Sequence, residues 1–205
     1  KDRKATTKEP DDYDRLLLER IENLRIPSWT PSTPMLFREP PWGDMWRSGY
    51  HTGFETVADF FSKRSLYVLA ALWERASKLP YEVSAVLRFA ITSVMTKTGS
   101  RMHNVGISKG HINLAGQIPN TLQPTSIHAE RHLPALIEKK LKSFKRWSSN
   151  IPHHECAVIS TQSATDLSNV PDESIDYVFI DPPFGGNIIY SEMNFIWEAW
   201  LRAYT

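Results

Sequence analysis

The chain has 205 residues and a hydrophobic fraction of 41%, which is enough for a buried core and too apolar for a disordered protein. Its formal net charge is +1, its single cysteine is Cys156, and no apolar run approaches the ~20 residues that span a bilayer. These features exclude an internal disulfide and a multi-cysteine zinc site, and they predict a cytoplasmic protein without a membrane partner.

The first predicted region, residues 1–53, combines one helix with a proline-rich segment. Apolar residues recur near helical spacing from Asp11 to Leu24, which predicts a helix there. Five prolines and three glycines between residues 26 and 53 favour an extended, irregular chain. The segment is also rich in aromatic residues, which are candidates for anchoring it.

The second predicted region, residues 54–150, is mainly helical. Helices are predicted over Phe54–Ser62, Arg64–Leu79 and Tyr81–Met95, and the last two lie on either side of Pro80. A polar loop with four glycines follows from Thr98 to Thr125. We interpret its first part, Thr98–His111, either as a mobile DNA-contacting segment or as a disordered surface loop. The apolar stripe of the second helix consists of Leu66, Leu69, Ala70, Trp73 and Ala76, and that of the third of Val83, Val86, Leu87, Ala90, Ile91 and Val94.

A basic amphipathic helix is predicted over His132–Trp147. Residues 97–154 contain nine Lys or Arg and two Glu, which gives a local charge of +7. Such a surface either lines a nucleic-acid groove, with phosphate contacts that give salt-dependent affinity, or is a solvated helix face. On the first interpretation the candidate DNA contacts include Lys142, Lys145 and Arg146. The predicted apolar stripe is Leu133, Leu136, Ile137, Leu141 and Phe144.

The third predicted region, residues 151–205, has an α/β pattern. Short strands are predicted over 156–160 and 174–180, separated by a turn or short helix at 166–170. The second strand is nearly continuous in apolar residues, which is typical of a parallel strand buried on both faces. A loop at 181–186 follows, and then an aromatic-rich helix at 188–204, in which Trp197 and Trp200 are expected to be core residues.

The sequence Asp181-Pro182-Pro183-Phe184 is the candidate catalytic motif. Ligands of open α/β sheets bind beyond the carboxyl ends of the strands, which is where Asp181 is expected. The Asp181 carboxylate and the Pro182 carbonyl can each accept a hydrogen bond from an exocyclic amine, which frees its lone pair for attack. Consecutive prolines hold that carbonyl rigidly, and Phe184 can stack on a flipped-out base.

The stretch Ile175-Asp-Tyr-Val-Phe-Ile-Asp-Pro-Pro-Phe-Gly185 resembles the motif (Asp/Asn/Ser)-Pro-Pro-(Tyr/Phe/Trp) of S-adenosylmethionine-dependent amino-methyltransferases. The continuation through Tyr190 to Glu198 resembles large DNA methylases of the N6-adenine/N4-cytosine type. In those proteins a helical insertion precedes the motif, and the helical pattern of residues 54–147 is similar to that insertion. The resemblance implies an α/β fold: part of a Rossmann-like methyltransferase sheet with a mainly helical inserted subdomain.

The same resemblance implies a cofactor, further site residues and partners. S-adenosylmethionine is the implied cofactor, and Asp166 matches the acidic residue that contacts its adenine. Asn187 and Tyr190 follow the motif closely and are candidates for lining the base pocket. DNA is the implied substrate, and a restriction endonuclease or the remainder of a methyltransferase are further candidate partners.

The glycine-rich cofactor loop of this family has no counterpart in the sequence. None of the nine glycines follows an apolar strand in a Gly-x-Gly arrangement. We therefore expect the chain to be a fragment that is inactive alone, with the cofactor loop upstream. No metal site is expected, because His153 and His154 are adjacent and no further ligand cluster accompanies them.

Two other functions fit parts of the sequence. The first is methylation of guanine N2 in ribosomal RNA, where Asp-Pro-Pro-Phe also occurs, although small enzymes of that kind have no helical insertion of this length. The second is a non-catalytic nucleic-acid-binding or specificity module, with which the missing glycine loop is consistent.

Overall fold

The computed structural model describes residues 8–34, 53–97, 99–108, 111–118, 122–150, 157, 159, 163, 165–181 and 190–204. These ranges combine helices with a small two-stranded antiparallel sheet. The elements are α1 (Asp12–Glu22), a 3-10 helix (Val57–Phe60), α2 (Lys63–Ser77), α3 (Tyr81–Met95), β1 (Asn104–Ser108), β2 (His111–Gly116), α4 (Leu133–Ser148) and α5 (Tyr190–Leu201).

Polar side chains begin several helices. Asp11 and Asp14 form a reciprocal capping box at α1, with the Asp14 amide donating to Asp11 Oδ1 at 3.0 Å. Ser62 Oγ accepts from the Ser65 amide at 3.3 Å and caps α2. At α4 the imidazole of His132 accepts from the Ala135 amide at 3.3 Å. Helix starts in this chain are therefore set by local side-chain chemistry.

The core is built by α2, α3, α4 and α5 together with the 3-10 helix. All five residues of the predicted α2 stripe are buried, and the predicted α4 stripe faces the same core. The prediction for α3 is wrong in its first two turns, because Val83 and Val86 are exposed. Trp197 and Trp200 both contribute to this core, as predicted. The C-terminal helix thus packs with the helices of the 54–150 region.

Trp200 is the largest fully buried side chain of this core, with 1% of its surface exposed. Its ring centroid lies 5.5 Å from that of Trp73 on α2 and 5.9 Å from those of Trp29 and Phe61, all with edge-to-face geometry. Such contacts add stability beyond the buried area. Trp200 therefore connects α5 to three separate parts of the chain.

The described part of the proline-rich segment is attached to the body. Residues 31–34 run antiparallel to 56–58, with the Val57 amide donating to the Thr33 carbonyl at 3.2 Å and the Ala58 amide to the Pro31 carbonyl at 3.1 Å. Thr33 Oγ1 also lies 2.8 Å from the hydroxyl of Tyr204. This segment therefore links the N-terminal and C-terminal parts of the chain.

The predicted loop at 98–125 contains a β-hairpin, which corrects that prediction. Strands β1 and β2 pair with Val105 opposite Leu114 and Ile107 opposite Ile112, so these four apolar residues share one face. At the base of the hairpin Ser100, Met102 and His103 are buried. The hairpin was not predicted because glycine and asparagine, which are depleted in strands, alternate with its apolar residues.

The predicted buried strand at 174–180 is wrong for the part of the chain that the structure describes. These residues belong to no sheet, and Tyr177 and Phe179 are each 81% exposed. A parallel strand needs neighbours on both sides and cover on both faces, and the described ranges supply neither. A Rossmann-like sheet is accordingly absent from them. The predicted strand at 156–160 lies largely outside the described residues, and residues 166–170 form the predicted turn.

None of the helices in the described part of the chain has the length and apolar content needed to cross a bilayer.

Candidate functional site

Asp181 is exposed and follows directly on the apolar segment 175–180, which has no regular secondary structure and a bend at Asp176. Within that segment Ile175, Val178 and Ile180 are exposed, in addition to the two aromatic residues. The candidate carboxylate therefore does not lie at the end of a sheet strand, where it was predicted.

Several residues singled out in the sequence lie outside the described residues. These are Pro182, Pro183, Phe184 and Asn187, together with the adjacent histidines His153 and His154. Tyr190 is the first residue of α5, and its side chain is also outside the description. The arrangement of base-contacting groups around Asp181 thus stays a prediction.

Asp166, the predicted cofactor contact, is exposed in a turn. Its Oδ1 accepts a hydrogen bond from the Ser168 amide at 3.0 Å. Hydrogen bonds from the backbone and side chain of Ser168 hold the pKa of the Asp166 carboxyl below its ordinary value. This carboxylate is therefore ionised at neutral pH and partly used in fixing its own turn.

The candidate DNA-contacting residues lie on the solvent face of α4. Lys142, Lys145 and Arg146 are exposed, while the apolar stripe of the same helix packs on the core. Lys142 Nζ forms an ion pair of 2.6 Å with Glu138 Oε1, one turn earlier. Such exposed pairs are weak, so the face keeps its capacity to contact phosphates.

A second candidate site is a cavity of about 300 Å³, hereafter the tryptophan cavity. It lies between α2, α3 and α5 and was not predicted from the sequence. Its lining residues are Trp29, Trp73, Glu74, Ser77, Lys78, Arg88, Trp200, Leu201 and Arg202.

Cations meet aromatic rings around the tryptophan cavity. The Arg88 guanidinium lies 5.3 Å from the centroid of Trp73, and that of Arg202 lies 4.1 Å from the centroid of Trp29. Arg88 Nη2 also donates to Ser77 Oγ at 2.9 Å. The stacking and the hydrogen bond fix the two guanidinium groups at the wall of the cavity.

The acidic group of the cavity is already paired. Glu74 Oε1 lies 2.6 Å from Lys78 Nζ. The hydrogen bond from Lys78, and then one from Ser28, lowers the pKa of the Glu74 carboxyl. Glu74 and Lys78 thus balance each other, and among the described residues that line the cavity Arg88 and Arg202 are two further cations.

Two residues around this cavity each have a buried nitrogen without an acceptor among the described residues. Arg88 Nε and Trp200 Nε1 are inaccessible to solvent, and neither has a hydrogen-bond partner among the described residues. The residues that form this site are far apart in sequence, at positions 29, 73, 88, 200 and 202. The abundance of tryptophan was the only sequence signal for it, and it did not indicate which tryptophans meet.

No group of three or more His, Cys, Asp or Glu within the described ranges is arranged to hold a metal ion. Comparison with protein-family models, with curated proteins and with solved structures finds no match to this chain.

Proposed function

We propose that the chain is part of an enzyme that transfers a methyl group from S-adenosylmethionine to the exocyclic amino group of adenine or cytosine in DNA. The proposal assigns to this chain the groups that orient the amine. The observation that carries it is the sequence Asp181-Pro-Pro-Phe directly after an exposed apolar segment.

The exposure of residues 175–180 supports this assignment. A chain segment that presents Tyr177, Phe179 and Ile180 to water at 81%, 81% and 70% carries a large apolar surface that water disfavours. Strands of parallel sheets have apolar residues on both faces because both faces are covered. The composition of the segment is that of an inner strand of a parallel sheet, and we propose that it pairs in this way only in the complete enzyme.

The motif itself supplies a chemical reason for the reaction. An exocyclic amine is a weak nucleophile because its lone pair is conjugated into the base. Asp181 and the carbonyl of Pro182 each accept one N–H, which favours a pyramidal nitrogen with its lone pair available. Acceptors fixed before the reaction need little reorganisation in the transition state. Asp181 is the group that contacts the substrate in this scheme.

The described residues do not fit the cofactor. Of the four described glycines, Gly53 follows no strand, Gly99 follows α3, and Gly106 and Gly116 belong to the hairpin, so that no described segment joins a strand to a Gly-x-Gly turn. The Asp166 carboxylate is exposed and engaged with Ser168. We therefore assign no step of cofactor binding to the described part of this chain.

DNA is the proposed substrate because α4 presents a basic face. Lys139, Lys142 and Arg146 recur at intervals of three and four residues and are exposed together. A row of cations on one helix face suits contacts with successive phosphates, which give affinity without sequence specificity.

The test is transfer of a tritiated methyl group to DNA by the full gene product and by its Asp181→Ala variant. We expect the substitution to lower transfer by about 100- to 1000-fold, as for the removal of one preorganised hydrogen-bonding group. Asp176→Ala is the matched control, because Asp176 is also exposed and lies five residues earlier on the same segment. It should keep wild-type activity.

Equal transfer by wild type and Asp181→Ala would show that Asp181 is not the group that orients the substrate amine. Parallel reactions with ribosomal RNA distinguish the guanine methyltransferase, which would label RNA and leave DNA unlabelled. Loss of transfer in both Asp181→Ala and Asp176→Ala would show that activity depends on the whole segment and not specifically on the Asp181 carboxylate.

A further inference from the structure

We infer that the surface between α3 and α4 binds the unpaired bases of a single-stranded nucleic acid. The α3–α4 surface is formed by Phe89 of α3 with Phe144 and Trp147 of α4. The inference rests on the proposed function only in that the basic face of α4 also contacts the DNA substrate there, and it is tested by binding without methyl transfer. Its starting point is the coincidence of open aromatic rings and cations on adjoining sides of one helix.

Two of the three rings of the α3–α4 surface are open to solvent. Phe89 is 63% exposed and Trp147 is 66% exposed. Trp147 follows Phe144 by three residues, so the two are neighbours on the surface of α4. Contiguous exposed apolar groups of this kind mark interaction sites, because water disfavours them.

Phe89 is held in place with one face of its ring free. It is stacked on Phe144, with ring centroids 5.2 Å apart and an angle of 16° between the planes. Phe144 in turn packs against the buried core. Since the parallel neighbour covers one face of Phe89, the exposed part of this ring includes the other face. A base on that face would continue the stack, and a ring that is already fixed loses little conformational freedom on binding.

The charge around these rings selects an anionic partner. The helix α4 contains one acid, Glu138, and five cations, which are Lys139, Lys140, Lys142, Lys145 and Arg146. Glu138 is paired with Lys142. At about 100° per residue, Lys140 lies on the same side of α4 as Trp147, whereas Glu138 lies about 180° away from Trp147. Glu82 is the acid on the corresponding side of α3, so cations outnumber acids around the surface.

The rings lie beside the row of cations to which the phosphate contacts are assigned. That row, formed by Lys139, Lys142 and Arg146, is about 100° around α4 from Trp147. The phosphates and bases of an unpaired strand project to different sides of its sugars. One strand can therefore place phosphates along the row and bases on the rings, which is the usual arrangement in proteins that bind single strands.

Other partners fit this surface less well. A duplex presents only the edges of its bases, so it has no base face to place on Phe89 or Trp147. A second copy of the chain would bring two basic α4 helices together, and like charges across an interface cost energy. An amphipathic helix that binds a membrane buries its apolar face in lipid, whereas that of α4 is packed on the core.

The experiment is fluorescence anisotropy of the chain with labelled twelve-nucleotide probes: oligothymidylate, oligouridylate, an abasic strand and a duplex. The abasic strand keeps the phosphates and removes the bases, so its comparison with oligothymidylate isolates stacking from charge. We expect oligothymidylate to bind at least about tenfold more tightly than the abasic strand and the duplex. The ratio between oligothymidylate and oligouridylate distinguishes DNA from RNA as the strand, and preference for either over the abasic strand supports the inference.

The variants are Phe89→Leu, Trp147→Leu and the control Tyr13→Leu. Leucine keeps an apolar side chain and removes the flat ring, and Tyr13 is a 71% exposed aromatic residue of α1. We expect each of the first two variants to bind oligothymidylate about 5- to 100-fold more weakly, with unchanged affinity for the abasic strand. The control should bind like wild type. If Phe89→Leu unfolds, Trp147→Leu decides, because its ring has no stacking partner among the described residues.

Equal affinity for oligothymidylate and the abasic strand would overturn the inference, as would the absence of binding to any single strand. Tighter binding of the duplex, or of vesicles that contain phosphatidylserine, would assign the surface to another partner. The same holds for a dimer, detected by sedimentation, that Phe89→Leu abolishes. An equal loss of affinity in Tyr13→Leu would also contradict it. Lack of methyl transfer by the full gene product, with the preference for bases intact, would contradict the proposed methyl transfer alone.

Discussion

The guanidinium of Arg202 lies 4.1 Å from the ring centroid of Trp29, and this contact joins the residues that follow the last helix to the segment that follows the first. Trp29 in turn meets Trp200 edge to face at 5.9 Å. The N-terminal segment and α5 therefore share one aromatic cluster, which also forms the wall of the tryptophan cavity.

The backbone conformation of Arg202 predicts that a glycine at this position is more stabilising than an alanine, which is the reverse of the usual order. Its φ of 56° is unfavourable for residues with a Cβ atom and free of that cost for glycine. We expect Arg202→Gly to be more stable than Arg202→Ala by about 1 kcal/mol. Urea unfolding of both variants measures the difference. Equal stability, or greater stability of the alanine variant, would show that the left-handed conformation is not strained.

Acid should destabilise the fold through His103. This imidazole is 3% exposed, and its Nδ1 lies 3.1 Å from the Ala129 carbonyl, so that nitrogen must donate. Burial, together with the charges of Arg131 and His128, lowers its pKa below the ordinary 6.5, although the hydrogen bond to Ala129 opposes the shift. The folded state thus binds fewer protons than the unfolded state, and stability is lost as the pH falls from about 6.5 towards the lower folded pKa.

The measurement is the free energy of unfolding at pH 7.5 and pH 5.5 for wild type and His103→Asn. We expect the decrease between these pH values to be smaller in the variant, which cannot be protonated. The burial of His128 lowers its pKa in the same direction, so some pH dependence should persist. An identical decrease in both proteins would assign the effect to other groups.

A charged side chain on the exposed apolar segment 175–180 should have little effect on the stability of this chain. Val178 is 65% exposed, so Val178→Lys should change the free energy of unfolding by less than about 0.5 kcal/mol. Leu69→Ala is the control for a core position: Leu69 has no exposed surface, and its truncation should cost about 2–5 kcal/mol. A large destabilisation in Val178→Lys would mean that the segment is buried.

The basic face of α4 predicts a specific change in salt dependence. Replacing Lys142, Lys145 and Arg146 by glutamine should weaken DNA binding uniformly across sequences. The slope of log affinity against log salt should also decrease by about 0.9 for each phosphate that the variant no longer neutralises. The charge-matched control replaces the exposed Arg15, Arg20 and Arg25 of the N-terminal region. Equal effects of both triple variants would indicate general electrostatic attraction, and no effect of either would exclude α4 from the interface.

Helical periodicity was the most informative signal in the sequence. The α2 stripe from Leu66 to Ala76 was identified completely, because a stripe that recurs every three or four residues has one way to face a core. The same rule failed for Val83 and Val86, since periodicity defines a face but not how far along the helix the core extends.

The sites were less predictable than the helices. The segment before Asp181 has a strand composition, yet a strand forms only where neighbouring strands pair with it, and a single sequence does not show them. The tryptophan cavity depends on Trp29, Arg88 and Trp200 meeting in space. Contacts between residues so distant in sequence follow from tertiary packing and have no local pattern.

The position of Trp200 has a consequence for how this chain can be divided. The helix that follows the Asp-Pro-Pro-Phe motif in the sequence contributes Trp200, one of the fully buried rings of the core, which packs against Trp73 of α2. Cutting the chain between residues 150 and 190 would therefore leave the first piece with an open hydrophobic centre and the second without a partner for α5.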